Sequence, residues 1–207
     1  MNAQTKKEAQ NKISTHQSDT NPEIDVEETP NPETRKFLPG CDVSPEGPLA
    51  FPDAQSAERS PFALKLFEHS GVASVFLGYD FVSVTKKADI SWSSIENNVQ
   101  NLIQTAFKEK LAIWQSNNTE SVSQESPLAK EGTIERDIQD LLNQRVRPFV
   151  AQDGGDITFE RFEDGVVYLK MRGACQGCPS ATATLKQGVE NMLRHFIPEV
   201  KSVESVA

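Results

Sequence analysis

Cysteine is scarce in this sequence. Its 207 residues include three, Cys41, Cys175 and Cys178. So small and odd a number excludes a disulfide framework and points to a reducing compartment. Long apolar runs are missing too. None approaches the ~20 residues that span a bilayer, so no membrane-crossing helix is expected. Positive charge is in deficit, with 21 Lys and Arg against 30 Asp and Glu, net −9. The deficit holds along the whole chain: 12 basic and 18 acidic residues lie within positions 1–130, and 9 and 12 follow. With no basic half, the chain lacks the electrostatic footprint of a nucleic-acid binder. Residues 1–20 lack the apolar stretch of a secretory signal. Lys6, Lys7 and Lys12 stand there without Arg and among Glu8 and Asp19, unlike a mitochondrial presequence. A bacterial-type cytoplasm is therefore expected, with the mitochondrial matrix as the alternative.

Hydrophobic content is only 37 %, which suggests polar segments diluting one or two ordinary cores. Residues 1–21 are polar, without periodicity, and read as a disordered tail. Residues 22–112 read as a first α+β domain. Thr29-Pro30-Asn31-Pro32 punctuates its start, and Thr34–Leu38 is strand-like. Ser60-Pro61 opens a short helix, with Ser as N-cap and Pro at the first position. Val72–Leu77 and Phe81–Thr85 flank Gly78-Tyr79-Asp80 as a hairpin. Ser93-x-x-Glu96 has the spacing of a capping box. The helix behind it carries Ile95, Val99, Leu102, Ile103, Ala106, Phe107 and Leu111 on one face. Nothing in this domain assembles a catalytic set. Residues 113–130, rich in Ser with Asn, Gln and Pro127, read as a flexible linker that lets the domains reorient.

Residues 131–207 read as helix, strand, strand, helix, strand. Ile134, Ile138, Leu141, Leu142 and Val146 mark the first helix, which Pro148 ends or kinks. Asp153-Gly154-Gly155-Asp156 turns into a strand at Ile157–Phe162, and Asp164-Gly165 has the chemistry of a two-residue hairpin. Val166–Met171 leads to Gly173-Ala174-Cys175-Gln176-Gly177-Cys178-Pro179-Ser180. From Pro179, residues Ala181, Leu185, Val189, Met192, Leu193 and Phe196 recur at helical spacing. A last strand is expected within 200–206.

The cysteine pair thus lies on a strand-to-helix turn. Flanking glycines and a helix N-terminus argue for exposure, and the helix dipole favours a thiolate at Cys178. Cys175 and Cys178 supply half of a four-ligand site. The simplest completion is a second copy of the chain. Cys41 is distant in sequence and reads as a bystander. Asp153 and Asp156 read as turn-formers that bond their own backbone rather than as ligands. Three chemistries remain open at this point: a shared iron–sulfur cluster, a structural zinc site and a thiol–disulfide couple.

The Asp153–Asp156 motif followed by Gly173-Ala174-Cys175-x-x-Cys178-Pro179-Ser180 closely resembles the C-terminal domain of NifU, found in Nfu-type iron–sulfur cluster carriers. The segment Asp25–Gly40 and the segment Gly71–Trp92, ending Ala88-Asp89-Ile90-Ser91-Trp92, resemble the N-terminal domain of the same proteins. The resemblance implies a [4Fe–4S] cluster held by Cys175 and Cys178 of two subunits, received from an upstream scaffold and delivered to apo-proteins. It implies carrier chemistry without catalytic turnover, and an N-terminal domain that serves interaction rather than ligation.

Overall fold

The computed structural model describes residues 24–115, 132–176 and 179–206, with the side chains of 179–181 outside the description. The predicted disordered tail lies outside the described residues, as does most of the predicted linker. The chain forms two α+β domains.

In the first, β1 (Asp25–Glu28), β2 (Thr34–Leu38), β3 (Leu49–Phe51), β4 (Val72–Leu77) and β5 (Val82–Lys86) build an antiparallel sheet ordered β1-β2-β5-β4-β3. Helices α1 (Pro61–Phe67) and α2 (Trp92–Lys108) cover one face of it. Strand side chains alternate between faces. Phe37, Val75, Leu77, Val82 and Val84 therefore meet Leu66, Ile95, Val99 and Ile103 in one apolar core. Ile113 and Trp114 also pack on that core, so it continues past the end of α2. Ser60 caps α1 as the sequence predicts, accepting a bond from the Ala63 amide.

The capping box expected at Ser93 does not form. Helix α2 starts two residues earlier, with Ser91 as N-cap and no side-chain cap. Glu96 instead pairs with Arg35 of β2, whose guanidinium lies 5.5 Å from the centre of the Trp92 ring. A tertiary ion pair has taken the side chain that the local motif would have used.

In the second domain, α3 (Ile134–Leu141) runs into a π-helical turn at Leu142–Val146 and then α4 (Arg147–Gln152). Pro148 sits in the first turn of α4, so the predicted disruption becomes a change of helix type followed by a restart. Strands β6 (Gly155–Glu163) and β7 (Val166–Gly173) pair antiparallel, and β8 (Ser202–Val206) joins β7 in parallel. Asp164 at φ 52° and Gly165 at φ 88° form the hairpin turn, both in the left-handed region that the tightest hairpin requires. Helix α5 (Pro179–Phe196) makes the crossover from β7 to β8 and buries Val189 and Leu193 against Ile157, Leu169 and Val203.

The two domains touch. Strand β7 approaches β4 and β5 on the sheet face opposite α1 and α2. The Ser83 hydroxyl donates to Gly154 O at 2.6 Å, the Asn31 side-chain Nδ2 to Gln176 O at 2.9 Å, and the Lys36 ammonium to Gln152 O at 3.1 Å. These contacts hold the two domains against each other in the arrangement seen.

Candidate functional site

Two turns build the site. The first leaves α4 through Asp153 and Gly154, and the second leaves β7 through Gly173, Ala174 and Cys175. They close on each other, because the Ala174 amide donates to Gly154 O at 3.1 Å. Gly154 at φ 78° and Gly173 at φ 62° take a left-handed backbone that favours glycine. A Cβ on Gly173 would come within 2.6 Å of Gly154 O and 3.0 Å of the Phe76 ring. At Gly155 the constraint is one of space: a Cβ there would collide with the Cys175 sulfur and lie 2.9 Å from Arg172 O.

Cys175 is 7 % exposed and packs in the core of its own domain. The expectation of an exposed thiol at this position is therefore corrected. Glycine at 155, which the sequence offers only as part of a turn, leaves a recess into which the sulfur turns. Burial, and after it the negative charges of Asp153 and Asp156, push the Cys175 pKa up to about 12. At neutral pH Cys175 is thus a thiol, and it must lose a proton to become a soft metal ligand. The Thr182 hydroxyl donates to Cys175 O at 3.0 Å and ties the turn to the first part of α5.

Cys178 lies outside the described residues, so the predicted pairing with Cys175 stands on the sequence. Cys41 is exposed just beyond β2 on the first domain. His195 is at the far end of α5, exposed and edge-on to Phe196. Among the described residues, no group of three or more His, Cys, Asp or Glu could hold a metal ion.

The aspartates divide their labour. Asp156 is buried and receives both Nε and Nη2 of Arg147, at 2.8 and 3.2 Å. That pair anchors α4 to the start of β6. Asp153 is exposed at the C-terminal end of α4. The expected bonding of Asp156 to its own turn backbone is replaced by this pairing with Arg147.

Sequence reasoning missed Asn31, Lys36, Ser83 and Phe76, the side chains that reach the two turns from the first domain. One signal was present. Val72–Leu77 is apolar without strict alternation, the pattern of a strand covered on both faces. Phe76 is 3 % exposed, although its neighbours Val75 and Leu77 already occupy the helix-covered face.

Fold and site together define a two-domain α+β protein that carries a cysteine on a glycine-lined strand-to-helix turn. Residues 138–204 match the family model described as NifU-like domain, and residues 24–110 match that described as scaffold protein Nfu/NifU N terminal. The chain is 41 % identical over 189 residues to the NFU1 iron-sulfur cluster scaffold homolog, mitochondrial, of Homo sapiens, covering 88 % of this chain and 71 % of that protein. It is 44 % identical over 184 residues to the protein of the same name in Drosophila sechellia, covering 88 % of this chain and 64 % of that one. The chain belongs to the Nfu/NifU family.

Proposed function

We propose that this protein is an iron–sulfur cluster scaffold and carrier that holds a [4Fe–4S] cluster between two copies of the chain. Cys175 and Cys178 of each copy supply the four thiolates, and the cluster is passed to apo-proteins. The carrying observation is Cys175 itself: a thiol on a glycine-lined strand-to-helix turn, with no complete ligand set around it among the described residues. The scaffold role for which its relatives are named supports the same reading. Thiolates are the soft donors that iron–sulfur clusters take. Two ligands per chain leave the cluster shared and therefore exchangeable, which suits cargo received from an upstream scaffold rather than a resident cofactor. No covalent turnover of a substrate is required, so the role is that of a carrier and not an enzyme. Among the described residues no helix is long and apolar enough to cross a membrane. The sequence favours a bacterial-type cytoplasm, and the mitochondrial relatives support the matrix as the other setting. Both are reducing, as free thiols need.

The test is anaerobic reconstitution of the full chain with iron and sulfide, followed by visible absorption, iron and sulfide analysis and sizing. A brown protein with about two irons per chain and a shift to dimer is the expected outcome. Retained zinc without colour would reassign the loop to a structural metal site. Reversible disulfide formation without iron uptake would make it a redox couple. Cys175→Ala and Cys178→Ala should each abolish cluster retention, whereas Cys41→Ala should leave it unchanged.

A further inference from the structure

The outer face of the first domain's sheet, away from α1 and α2, holds an arrangement that its own core does not explain. On β4, Phe76 points to this face because Val75 and Leu77 point to the other. Its ring lies 5.9 Å from that of Phe81, and both are 3 % exposed. Lys36 on β2 and Ser83 on β5 share the face. The Lys36 ammonium sits 5.1 Å from the centre of the Phe81 ring, 3.3 Å from Glu27 and 3.1 Å from Gln152 O. What covers this surface is the pair of turns that carries Cys175.

The polar contacts fall on backbone immediately around that cysteine. Gln176 O, one residue after it, accepts from the Asn31 side-chain Nδ2. The Ala174 amide, one residue before it, donates to Gly154 O, and the same oxygen accepts from the Ser83 hydroxyl. Both peptide neighbours of Cys175 are thus tied to the first domain, one directly and one through a shared acceptor. The Cys175 sulfur meanwhile points into its own domain's core beside Gly155. These bonds hold the backbone of the turn in the conformation that places the sulfur in this recess, and losing them frees that backbone.

We propose that the outer sheet face of the first domain is a docking surface for the glycine turns of the second, and that docking holds Cys175 in its buried position. The partner this surface fits is a small-residue turn with outward carbonyls: Gly173 lies against Phe76, and carbonyl oxygens meet Ser83, Asn31 and Lys36. Presentation of Cys175 to any metal, cluster or second chain then follows undocking. This deepens the N-terminal domain's interaction role and stands apart from the identity of the cargo.

The experiment uses the full metal-free chain with Cys41→Ser and Cys178→Ser, so that Cys175 is its sole thiol. Maleimide labelling gives the accessibility of Cys175, and small-angle X-ray scattering gives the particle's maximum dimension. Two variants undock the face, Asn31→Ala with Ser83→Ala, and Phe76→Arg. Both tryptophans, Trp92 and Trp114, lie in the first domain, so their fluorescence reports whether it stays folded. The expected result is slow labelling of a compact parent. The variants should be longer particles that label roughly ten- to thirty-fold faster, with tryptophan emission unchanged. Three results overturn the proposal: a parent already extended, a lengthened variant that labels at the parent's rate, or variants that change neither quantity. Because neither readout uses a cluster, failure here leaves the cluster assignment standing, and failed reconstitution leaves this proposal standing.

Discussion

At Cys175 the chemistry is set by a neighbour without a side chain. Gly155 leaves the space that the sulfur fills, and an added methyl would also press on Arg172 O and the Cys175 amide nitrogen, at 2.9 and 3.0 Å. Two of these three contacts are backbone atoms that cannot swing away. Gly155→Ala should therefore destabilise the second domain by about 1–3 kcal/mol, read from its denaturant midpoint. Cys175→Ala removes one buried sulfur and should cost about 1 kcal/mol, because the residue faces an apolar core rather than solvent. The raised pKa carries a sign that can be worked out. The unfolded thiol ionises near its ordinary ~8.5, whereas the folded one holds its proton to about 12. Between those values the folded state binds more protons than the unfolded, so stability is intact below the lower value and falls as pH rises through the window. The slope should approach ~1.4 kcal/mol per pH unit and should vanish in Cys175→Ala. Chemical denaturation from pH 8 upward measures both chains, and equal slopes in the two would refute the buried thiol.

Among the elements, β6 and its approach show how a buried charge fixes a turn. Asp156 opens the strand and holds the Arg147 guanidinium in a two-point pair, while Arg147 also donates to Asn143 at 3.1 Å. Asp156→Ala leaves that guanidinium, only partly exposed, with a poorer partner. A loss of about 2 kcal/mol is expected, below the full cost of a wholly buried pair because Arg147 retains some water. Asp156→Asn should lose less, and an equal loss in the two variants would mean that packing rather than charge matters there. The strand and helix pattern around this site was legible because its signals are local. Asp164-Gly165 dictates the hairpin, Pro179 opens α5, and the apolar spacing that follows fixes the buried face. Less local features escaped. Short strands β1 and β3, of four and three residues, exist by pairing, Asp25 opposite Leu38 and Leu49 opposite Leu77, and have no periodicity long enough to read. The Ser93–Glu96 motif was legible and misleading, since Arg35 lies far away in sequence. The burial of Cys175 was hidden for the same reason, because it depends on a recess formed when two separated turns close.

Over the whole molecule, the question is whether two domains with separate cores behave as one. Each core is closed by its own helices, so each domain could unfold alone, yet three donors of the first domain end on carbonyls of the second. If that contact persists in solution, weakening the first domain must loosen the turns of the second. Ile103 is fully buried between α2 and the sheet, with no part in the contact. Ile103→Ala should cost the first domain about 3 kcal/mol by leaving a cavity. More frequent unfolding of that domain then frees the turns, so hydrogen exchange at the Ala174 amide, bonded to Gly154 O, should accelerate. The Lys201 amide is the internal control. It is bonded to Gly165 O at the opposite end of the β6–β7 hairpin, and its exchange should stay unchanged. Acceleration at Ala174 alone means that the domains are coupled through the docked face. Unchanged exchange at both sites means that they are independent, and the burial of Cys175 then belongs to the second domain alone.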